Sequence, residues 1–392
     1  YDTMTTKILH ISDTHLGNRQ YRSDQRKEDF ADAFEEAVEK AVDRDVDAVI
    51  HTGDLFESRD PSIEDITRCI DILGVLSDEG IPFYGIVGNH ESKMDEQWLD
   101  LLGRAGVSER LGKSATVVND EVALYGIDSV KKPAWHSFDF TLEETDEDLY
   151  RILCMHELLH PPVPDEFSHH ETSEVVERLN IDIDALALGD YHKPEETVVD
   201  GVDVWYPGST ERCSAKEADQ PRGVELLIVE DGKLTKKRLE TDARKFITMN
   251  IEFEEDDGYG FAESEIEKKD VEDKVVRVDL TGERTPVSSG DVYDMVTNRG
   301  ATVCRVNDSR GRRNIDMGSV EIEGVESPNE MIEDKLAERD VSGVTVDVEN
   351  MVRNGGVAKT NLRGEAKQRI EEAQEEAFSG SDGDGAKEEG DG

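Results

Sequence analysis

The clearest pattern in the chain is an apolar stripe along the otherwise acidic segment Asp24–Asp43. Its apolar positions recur every three or four residues, the spacing that places side chains on one face of an α-helix. We therefore expect a helix over this segment, with one apolar face and one face in water. The stripe consists of Phe30, Phe34, Ala37, Val38 and Ala41.

A second helical pattern begins at Pro61-Ser62 and ends before Gly80 and Pro82. Short apolar runs separate the helical segments, and runs of this length are typical of buried strands. Strands that alternate with helices from residue 7 to about residue 245 predict a mixed α/β sandwich. The strand runs are 8–11, 48–50, 83–87, 152–155 and 185–188.

The pattern changes after residue 245 and again after about residue 320. Residues 246–320 predict a small α+β unit, with strands near 247–253, 275–280 and 301–306 and helices near 262–267 and 291–298. Ser327-Pro328-Asn329-Glu330 is a capping box with proline at the first helical position, and further helices are expected at 348–353 and 362–378. Residues 379–392 are mainly glycine, serine and acidic residues, so we expect a disordered acidic tail.

Residues that bind metals stand at the carboxyl ends of the predicted strands. In an α/β sheet these ends lie along one edge, so we expect the side chains to share one site. Carboxylate and amide oxygens mixed with imidazoles suit two divalent ions that share a bridging carboxylate. The five segments are Asp13-Thr14-His15, Gly53-Asp54, Gly88-Asn89-His90-Glu91, His156 and Gly189-Asp190-Tyr191-His192.

Acidic residues number 92 against 45 basic ones, which gives the 392-residue chain a formal net charge of −47. A surface of this kind ordinarily argues against a nucleic-acid partner, because it repels phosphates. The acidic residues are spread along the chain, however, which indicates a halophile protein adapted to molar salt. At about 1 M salt the Debye length is only about 3 Å, so the charge excludes no class of substrate.

The four cysteines Cys69, Cys154, Cys213 and Cys304 lie far apart and predict neither a disulfide framework nor a zinc ribbon. No apolar run approaches the roughly 20 residues of a membrane span, and no signal peptide is visible. We therefore expect a cytoplasmic protein without a membrane partner. Met4 is the expected natural start, with Tyr1–Thr3 upstream of it.

The order of the five segments resembles that of the calcineurin-like metallophosphoesterases. Three longer stretches are more specific: HISDTHLGNRQ at 10–20, GDLF at 53–56 and YPGSTER at 206–212. With them, residues 7–245 resemble the nuclease domain of the SbcD/Mre11 family of DNA double-strand-break repair nucleases. The resemblance implies a four-layer sandwich of two mixed β-sheets flanked by helices, a capping domain at 246–320, and a linker with partner-binding helices at 321–378.

The resemblance also assigns roles to matching residues. Two manganese ions are implied, one held by Asp13, His15, Asp54 and His192, the other by Asp54, Asn89, His156 and Asp190. His90 would be the catalytic residue, which orients the phosphate and assists the leaving oxygen as an acid. Arg19, Tyr21, Arg22 and Arg212 are candidate DNA contacts, because they flank the metal rim and offer phosphate donors and a stacking face.

The implied activities are single-strand endonuclease and 3′–5′ double-strand exonuclease, in a nucleoid-associated repair complex. The implied partners are DNA, an SbcC/Rad50 coiled-coil ATPase bound through residues 327–378, and a second copy of the chain. The dimer would form through the helices at 62–77 and 96–102. Its apolar candidates are Ile63, Ile66, Ile70, Leu73, Trp98, Leu99 and Leu102.

Two positions depart from the family pattern. Asp190 stands where the family usually has a histidine, so the second metal position is expected to survive with altered charge. Glu57 stands where the family often has a histidine that positions the substrate strand, and an anion there would disfavour an approaching duplex.

Two other functions fit the same residues. One is a stand-alone small-molecule phosphoesterase of the calcineurin-like fold. The other is a scaffold with a weakened site that docks the ATPase and tethers DNA. The stretch 16–22, the segment 206–212, the second unit and the C-terminal helices favour the nuclease.

Overall fold

The structure is a computed structural model that describes residues 5–94, 96–145 and 148–311, together with residues 366, 367 and 369. Its contacts divide the chain into two compact units, Tyr1–Arg313 and Asn314–Gly392. In the second unit the described residues Ala366, Lys367 and Arg369 are helical. The expected start at Met4, most of the segment 327–378 and the tail 379–392 lie outside the described residues.

In the described part of the first unit, helices follow the first three strands, and most later strands succeed one another without an α-helix. The strands are β1 (Thr5–Ile11), β2 (Ala48–His51), β3 (Phe83–Gly85), β4 (Glu109–Arg110), β5 (Thr116–Val118), β6 (Val122–Ile127), β7 (Tyr150–His156), β8 (Leu159–His160), β9 (His170–Glu171), β10 (Ala185–Gly189), β11 (Glu195–Val199), β12 (Val202–Tyr206), β13 (Gly223–Glu230), β14 (Lys233–Glu240), β15 (Phe246–Phe253), β16 (Val275–Gly282) and β17 (Val303–Asp308). The helices are α1 (Asp24–Asp43), α2 (Ile63–Asp78), α3 (Trp98–Arg104), α4 (Thr172–Arg178), α5 (Tyr259–Glu267) and α6 (Ser289–Thr297).

The first sheet has the strand order β14-β13-β1-β2-β3-β4. Strands β1 to β4 run parallel to one another, β13 runs antiparallel to β1, and β14 runs antiparallel to β13. The apolar faces of α1, α2 and α3 cover the outer side of this sheet. Phe30 and Phe34 of α1 are fully buried there, and each such side chain contributes about 1.5–3 kcal/mol by leaving water.

Leu73, Leu99 and Leu102 belong to this same core. We expected them at a dimer surface, and that expectation is wrong, because each packs inward against the first sheet. Ile63 is different: 83 % of its surface is exposed at the start of α2. Ser62 and Asp65 start α2 as a capping box, in which each side chain accepts a hydrogen bond from the backbone of the other.

The second sheet has the strand order β11-β12-β10-β7-β6-β5 and is also mixed. Helix α4 and a 3₁₀ turn that carries the buried Trp135 cover its outer side. The inner faces of the two sheets pack on each other through a third apolar cluster that includes Ile50, Cys154 and Trp205. The predicted four-layer sandwich of two mixed sheets flanked by helices is therefore confirmed.

The residues after 245 form a three-stranded parallel sheet, β15-β16-β17, packed on α5 and α6. These are the three strands and two helices expected from the sequence. A small apolar cluster joins this sheet to the sandwich. It consists of Phe246, Val275 and Val303 on one side and Tyr21, Ala215 and Ala218 on the other.

A buried ionic network holds the same junction. The carboxylate of Asp29 accepts hydrogen bonds from Arg26 Nη1 at 2.7 Å and from Arg244 Nε and Nη2 at 2.6 Å each. Arg26 is fully buried and also lies 3.3 Å from Glu211 Oε1. Because Arg244 opens the segment that enters β15, this network fixes the path of the chain between the sandwich and the small sheet.

Removing Asp29 should therefore cost far more stability than removing an exposed acid on the same helix. We expect Asp29→Ala to lower the free energy of unfolding by about 3–5 kcal/mol, because it removes the buried carboxylate that Arg26 and Arg244 share. Asp32→Ala is the control, since its side chain is 63 % exposed and surface changes usually stay within about 0.5 kcal/mol. Denaturant unfolding in concentrated salt measures both, and equal losses would contradict a role for the network.

Candidate metal centre

The seven predicted metal ligands and His90 converge at one edge of the sandwich. Asp13 and His15 follow β1, Asp54 follows β2, and Asn89 and His90 follow β3. In the second sheet, His156 ends β7, and Asp190 and His192 follow β10. Because these are the parallel central strands of both sheets, their carboxyl ends meet at the same place.

Buried carboxylates form the floor of this site. Asp13, Asp54, His15 and His156 are each at most 1 % exposed. Ligand atoms of Asp13, Asp54 and His156 lie within 4.8 Å of one another, and so do those of His15, Asp54 and His90. Asp54 is the member that the two groups share.

The floor residues adopt an unusual backbone. Asp13, His15, Asp54 and Asp190 all have positive φ, between 46° and 83°. Non-glycine residues in this region cost of order 1–3 kcal/mol each and occur where the surrounding structure holds them. Here the turns after β1 and β2 are held together, because His15 N donates to Asp54 O at 2.9 Å and Asp13 N donates to Gly53 O at 3.1 Å.

Two glycines allow the loops of the two sheets to approach this closely. A Cβ on Gly88 would overlap the backbone nitrogen and carboxylate of Asp54, and a Cβ on Gly189 would overlap the carbonyl of Thr52. Both would push the loops apart. Gly88 and Gly189 are therefore needed for the ligand loops to lie this close together.

The upper rim of the site is open to solvent. Asn89 Nδ2 donates to Asp190 Oδ1 at 3.2 Å, and Asp190 N donates to Asp13 Oδ1 at 3.2 Å. His192 Nε2 lies 3.3 Å from His15 Nε2 and 3.9 Å from Asp13 Oδ1. Asp190 therefore faces the other ligands, although it replaces a histidine of the family pattern.

Charges in the site are strongly coupled. Burial by itself raises the pKa of the Asp54 carboxyl, but the surrounding imidazoles outweigh this and lower the pKa below its usual value. Burial lowers the pKa of His156, yet the carboxylate of Asp54 more than reverses this and raises it well above its usual value. Protons on imidazoles thus compensate the buried carboxylates, and a bound cation would take over that role.

The residues fit a divalent metal. His156 Nδ1 donates to the carbonyl of Thr52 at 2.7 Å, which fixes the ring. Its other nitrogen, Nε2, is buried without a hydrogen-bond partner and lies 3.3 Å from Asp54 Oδ2. An orphaned imidazole nitrogen beside an ionised carboxylate, with amide and carboxylate oxygens above it, is the donor set of a hard or borderline cation.

Glu57, which stands where the family often has a substrate-positioning histidine, lies against two histidines of the site. Its side chain is 18 % exposed, and Oε2 lies 3.0 Å from His15 Nδ1 and 3.7 Å from His90 Nδ1. The contact with His15 has the distance of an ion pair without the alignment of a hydrogen bond. Because Nε2 of His15 faces the site, Glu57 occupies the place of a carboxylate that orients a metal-binding histidine from behind.

Two buried glutamates that were not among the predicted site residues support the loops. Glu91 accepts from Phe56 N at 2.8 Å and from Gly88 N at 3.2 Å, so it ties two ligand loops together. Glu157 accepts from Val130 N at 2.6 Å. Burial raises the pKa of Glu91 to about 7 and that of Glu157 to about 8. The signal was present, because each glutamate directly follows a histidine of the site.

The four candidate DNA contacts lie outside this cluster. Arg212 donates to the carbonyls of Ala243 and Arg244 at 3.1 and 3.0 Å, and Tyr21 packs near Phe246, so both belong to the junction with the small sheet. Arg19 pairs with Asp24 at 2.6 Å on the surface, and Arg22 is exposed. These positions favour a structural role for Arg212 and Tyr21.

Fold and site together define a calcineurin-like phosphoesterase, and the sequence profile of that family matches residues 6–194. The chain is 38 % identical over 368 residues to the DNA double-strand break repair protein Mre11 of Haloferax volcanii, covering 93 % of this chain and 81 % of that protein. It is 34 % identical over 388 residues to the protein of the same name from Halobacterium salinarum, covering 97 % of each.

The chain therefore belongs to the Mre11 family of DNA double-strand break repair proteins. It is a metal-dependent phosphodiesterase, and the resemblance noted in its sequence is confirmed. Among the described residues, no helix combines the length and the apolar character that crossing a bilayer would need.

The position of Glu57 leads to a prediction about metal affinity. Glu57→Ala should weaken binding of a divalent metal by about 10–100-fold, the usual effect of losing a group that orients a ligand. The metal affinity of Glu57→Gln should lie between those of the wild-type protein and Glu57→Ala, because glutamine keeps a hydrogen-bond acceptor but loses the charge. Asp60→Ala, an exposed acid on the same loop, is the control. Isothermal titration calorimetry measures all four proteins, and equal affinities in the two alanine variants would refute the role.

Proposed function

We propose that the chain is a manganese-dependent DNA nuclease with single-strand endonuclease and 3′–5′ double-strand exonuclease activity. The observation that carries this proposal is the central position of Asp54. Its Oδ2 lies 3.3 Å from His156 Nε2 and 4.0 Å from Nε2 of both His15 and His90. A carboxylate surrounded in this way suits a ligand that two ions share.

Each of two Mn²⁺ ions would be held by residues of both the floor and the rim. The first would be held by Asp13, His15, Asp54 and His192, and the second by Asp54, Asn89, His156 and Asp190. Hard oxygens and imidazoles together suit manganese. When bound, the ions supply Lewis acidity that activates water and offsets the negative charge that builds on the phosphate.

His90 is the proposed catalytic residue. Its Nδ1 donates to the backbone carbonyl of Glu57 at 2.9 Å, which directs Nε2 toward the site. Burial lowers the pKa of His90, but the carboxylates of Asp54 and Glu57 outweigh this and raise it. Glu57 favours a proton on His90 even with the ions bound, because its carboxylate lies 3.7 Å from Nδ1 and its backbone carbonyl accepts from the same atom. His90 is therefore placed to donate a proton to the leaving oxygen of a phosphodiester.

DNA would approach the open rim. Arg22 is exposed, and Arg19 is bound only at the surface by Asp24, so a phosphate can compete for either guanidinium. We propose these two as phosphate contacts, with Tyr21 and Arg212 shaping the adjoining junction. The acidic surface would adapt the protein to molar salt, where its repulsion of DNA is screened.

The proposed assembly contains two nuclease chains and an SbcC/Rad50 coiled-coil ATPase in the cytoplasm, associated with the nucleoid. The ATPase would bind the helices expected within 327–378. The dimer would use the exposed apolar residues at and near α2 and α3. Ile63 and Met94 are 83 % and 76 % exposed, and Leu101 is 39 % exposed.

The first test compares substrates. With Mn²⁺ in concentrated salt, the protein should nick single-stranded DNA circles and turn over a nucleotide monoester far more slowly. Rapid hydrolysis of the monoester with intact circles would instead identify a small-molecule phosphoesterase. Inactivity on both substrates in protein that binds metal would identify a scaffold.

Two histidine variants separate catalysis from metal binding. His90→Ser should keep both ions and lose about 10²–10⁴-fold in cleavage rate, the usual contribution of a general acid. His156→Ala should lose one ion, because its Nε2 faces the second position. Elemental analysis with single-turnover cleavage measures both variants. Equal metal loss in the two would remove the distinction between catalytic residue and ligand.

The dimer prediction rests on Ile63. Ile63→Glu should convert a dimer to a monomer at micromolar concentration, because it buries a charge in an apolar interface. Val198→Glu is the matched control, since Val198 is 62 % exposed on β11 of the other sheet. Light scattering in concentrated salt gives the mass of each, and a monomeric wild-type protein would contradict the proposal.

The last prediction concerns the partner. A chain that ends near residue 320 should keep manganese-dependent cleavage of single-stranded DNA and lose co-purification with the ATPase. The reason is that the nuclease ligands all precede residue 193, whereas the proposed docking helices follow residue 326. Tight binding of the ATPase by the shortened protein would place the docking site elsewhere.

A further inference from the structure

Cys213, which was not among the predicted site residues, lies at the metal rim. It directly follows the segment 206–212, and its thiol groups with the imidazoles of His15 and His192. One ligand atom from each of the three residues lies within 4.8 Å of the other two. His15 and His192 already face each other, with their Nε2 atoms 3.3 Å apart.

The backbone of Cys213 is held on both sides. Its N–H donates to Glu217 Oε2 at 2.9 Å, and its carbonyl accepts from Gln20 Nε2 at 2.6 Å. Glu217 is itself fixed by Arg222 at 3.3 Å. The thiol contacts the carbonyl of Glu211 at 3.7 Å and is also hydrogen-bonded with the imidazole of His192. The surroundings therefore place the sulfur beside an imidazole with which it could share a metal ion.

Glu217 also connects the cysteine to the histidines. Its Oε1 lies 3.5 Å from Nδ1 of His192. A carboxylate behind a metal-binding imidazole fixes the ring and increases its basicity. Glu57 stands in the same relation to His15, with its oxygen 3.0 Å from Nδ1. Each of the two imidazoles thus has a carboxylate near its Nδ1, and the two Nε2 atoms face the same space.

The chemistry of this trio differs from that of the carboxylate floor. Two imidazoles and one thiolate with an open fourth position form a tetrahedral arrangement that Zn²⁺ adopts in proteins. Thiolate is a soft ligand that favours zinc over manganese, whereas carboxylate and amide oxygens favour manganese. His15 and His192 therefore lie between the soft thiolate of Cys213 and the hard oxygen ligands of the floor.

We propose that His15, His192 and Cys213 form a binding site for a thiophilic divalent cation, Zn²⁺. On binding, the thiol releases its proton to solvent and the sulfur bonds the metal as thiolate. Zinc held there occupies both imidazoles that the hard ion needs, so zinc and the hard ion exclude each other. The site goes beyond the nuclease function, because zinc would bind whether or not the chain cuts DNA.

The first test uses the wild-type protein with all four cysteines. Cys213 is half-buried, whereas Cys69, Cys154 and Cys304 are buried. Zinc should protect Cys213 from alkylation by iodoacetamide in the native protein, and manganese at saturating concentration should protect it much less. Peptide mass spectrometry reports the modification at each cysteine. Equal alkylation of Cys213 with and without zinc would overturn the proposal.

The second test uses cobalt as a spectroscopic substitute for zinc. One equivalent of Co²⁺ should give wild-type protein a thiolate-to-cobalt charge-transfer band in the near-ultraviolet. Cys213→Ser should lose the band. The control variant Cys304→Ser, whose substitution lies in the small sheet, should keep it. A band that survives in Cys213→Ser, or is absent from wild-type protein, would refute sulfur ligation. Cys213→Ala replaces the serine variant if circular dichroism shows that the latter is unfolded.

The affinity for zinc gives a third, independent measure. Competition with a chelator should show that Cys213→Ser binds zinc at least about 10-fold more weakly than the wild-type protein. Losing a group that only orients a metal ligand already weakens binding by about 10–100-fold. The same variant should lose much less affinity for manganese. A parallel loss for both metals would mean that Cys213 only supports the loop, which would contradict the zinc site.

Discussion

The structure depends on holding the carboxylates of Asp13 and Asp54 side by side, away from water. Each buried charge carries a desolvation penalty of several kcal/mol, which only a close opposite charge offsets. Imidazoles of both sheets lie close to Asp54 Oδ2, with Nε2 of His156 at 3.3 Å and Nε2 of His15 and His90 at 4.0 Å. The pKa of Asp54 is lowered and that of His156 is raised as a result. A divalent cation is the natural replacement for those shared protons.

The sandwich makes this arrangement possible, because ligands come from both of its sheets. Gly88 and Gly189 allow the loops to meet without overlap. The ligands at positive φ follow strands whose side chains are buried in the apolar cluster between the sheets, and this burial holds the strained turns in place. The cost of strain in these turns is therefore offset by the burial of apolar side chains several residues away. Glu91 adds a direct link, since it accepts backbone hydrogen bonds from two of the ligand loops.

Much of this could be predicted, because it depends on local patterns. The bounds of α1 agree with its apolar spacing, and the ligands stand at strand ends, where the sheet brings them together. Contacts between distant segments could not be predicted. Nothing in the spacing shows that Glu57 turns back to His15, or that Arg212 holds the chain at Ala243. Leu73 was assigned to a surface for the same reason: a helical pattern shows which face is apolar but not what covers it.

The central claim is that Asp54 bridges two ions in the site, and anomalous diffraction from manganese-soaked crystals tests it most directly. The account predicts two anomalous peaks per chain, both within bonding distance of Asp54. One peak should also contact His192, and the other should contact His156. A single peak, or two peaks that do not share Asp54, would contradict the bridge and with it the proposed two-metal mechanism.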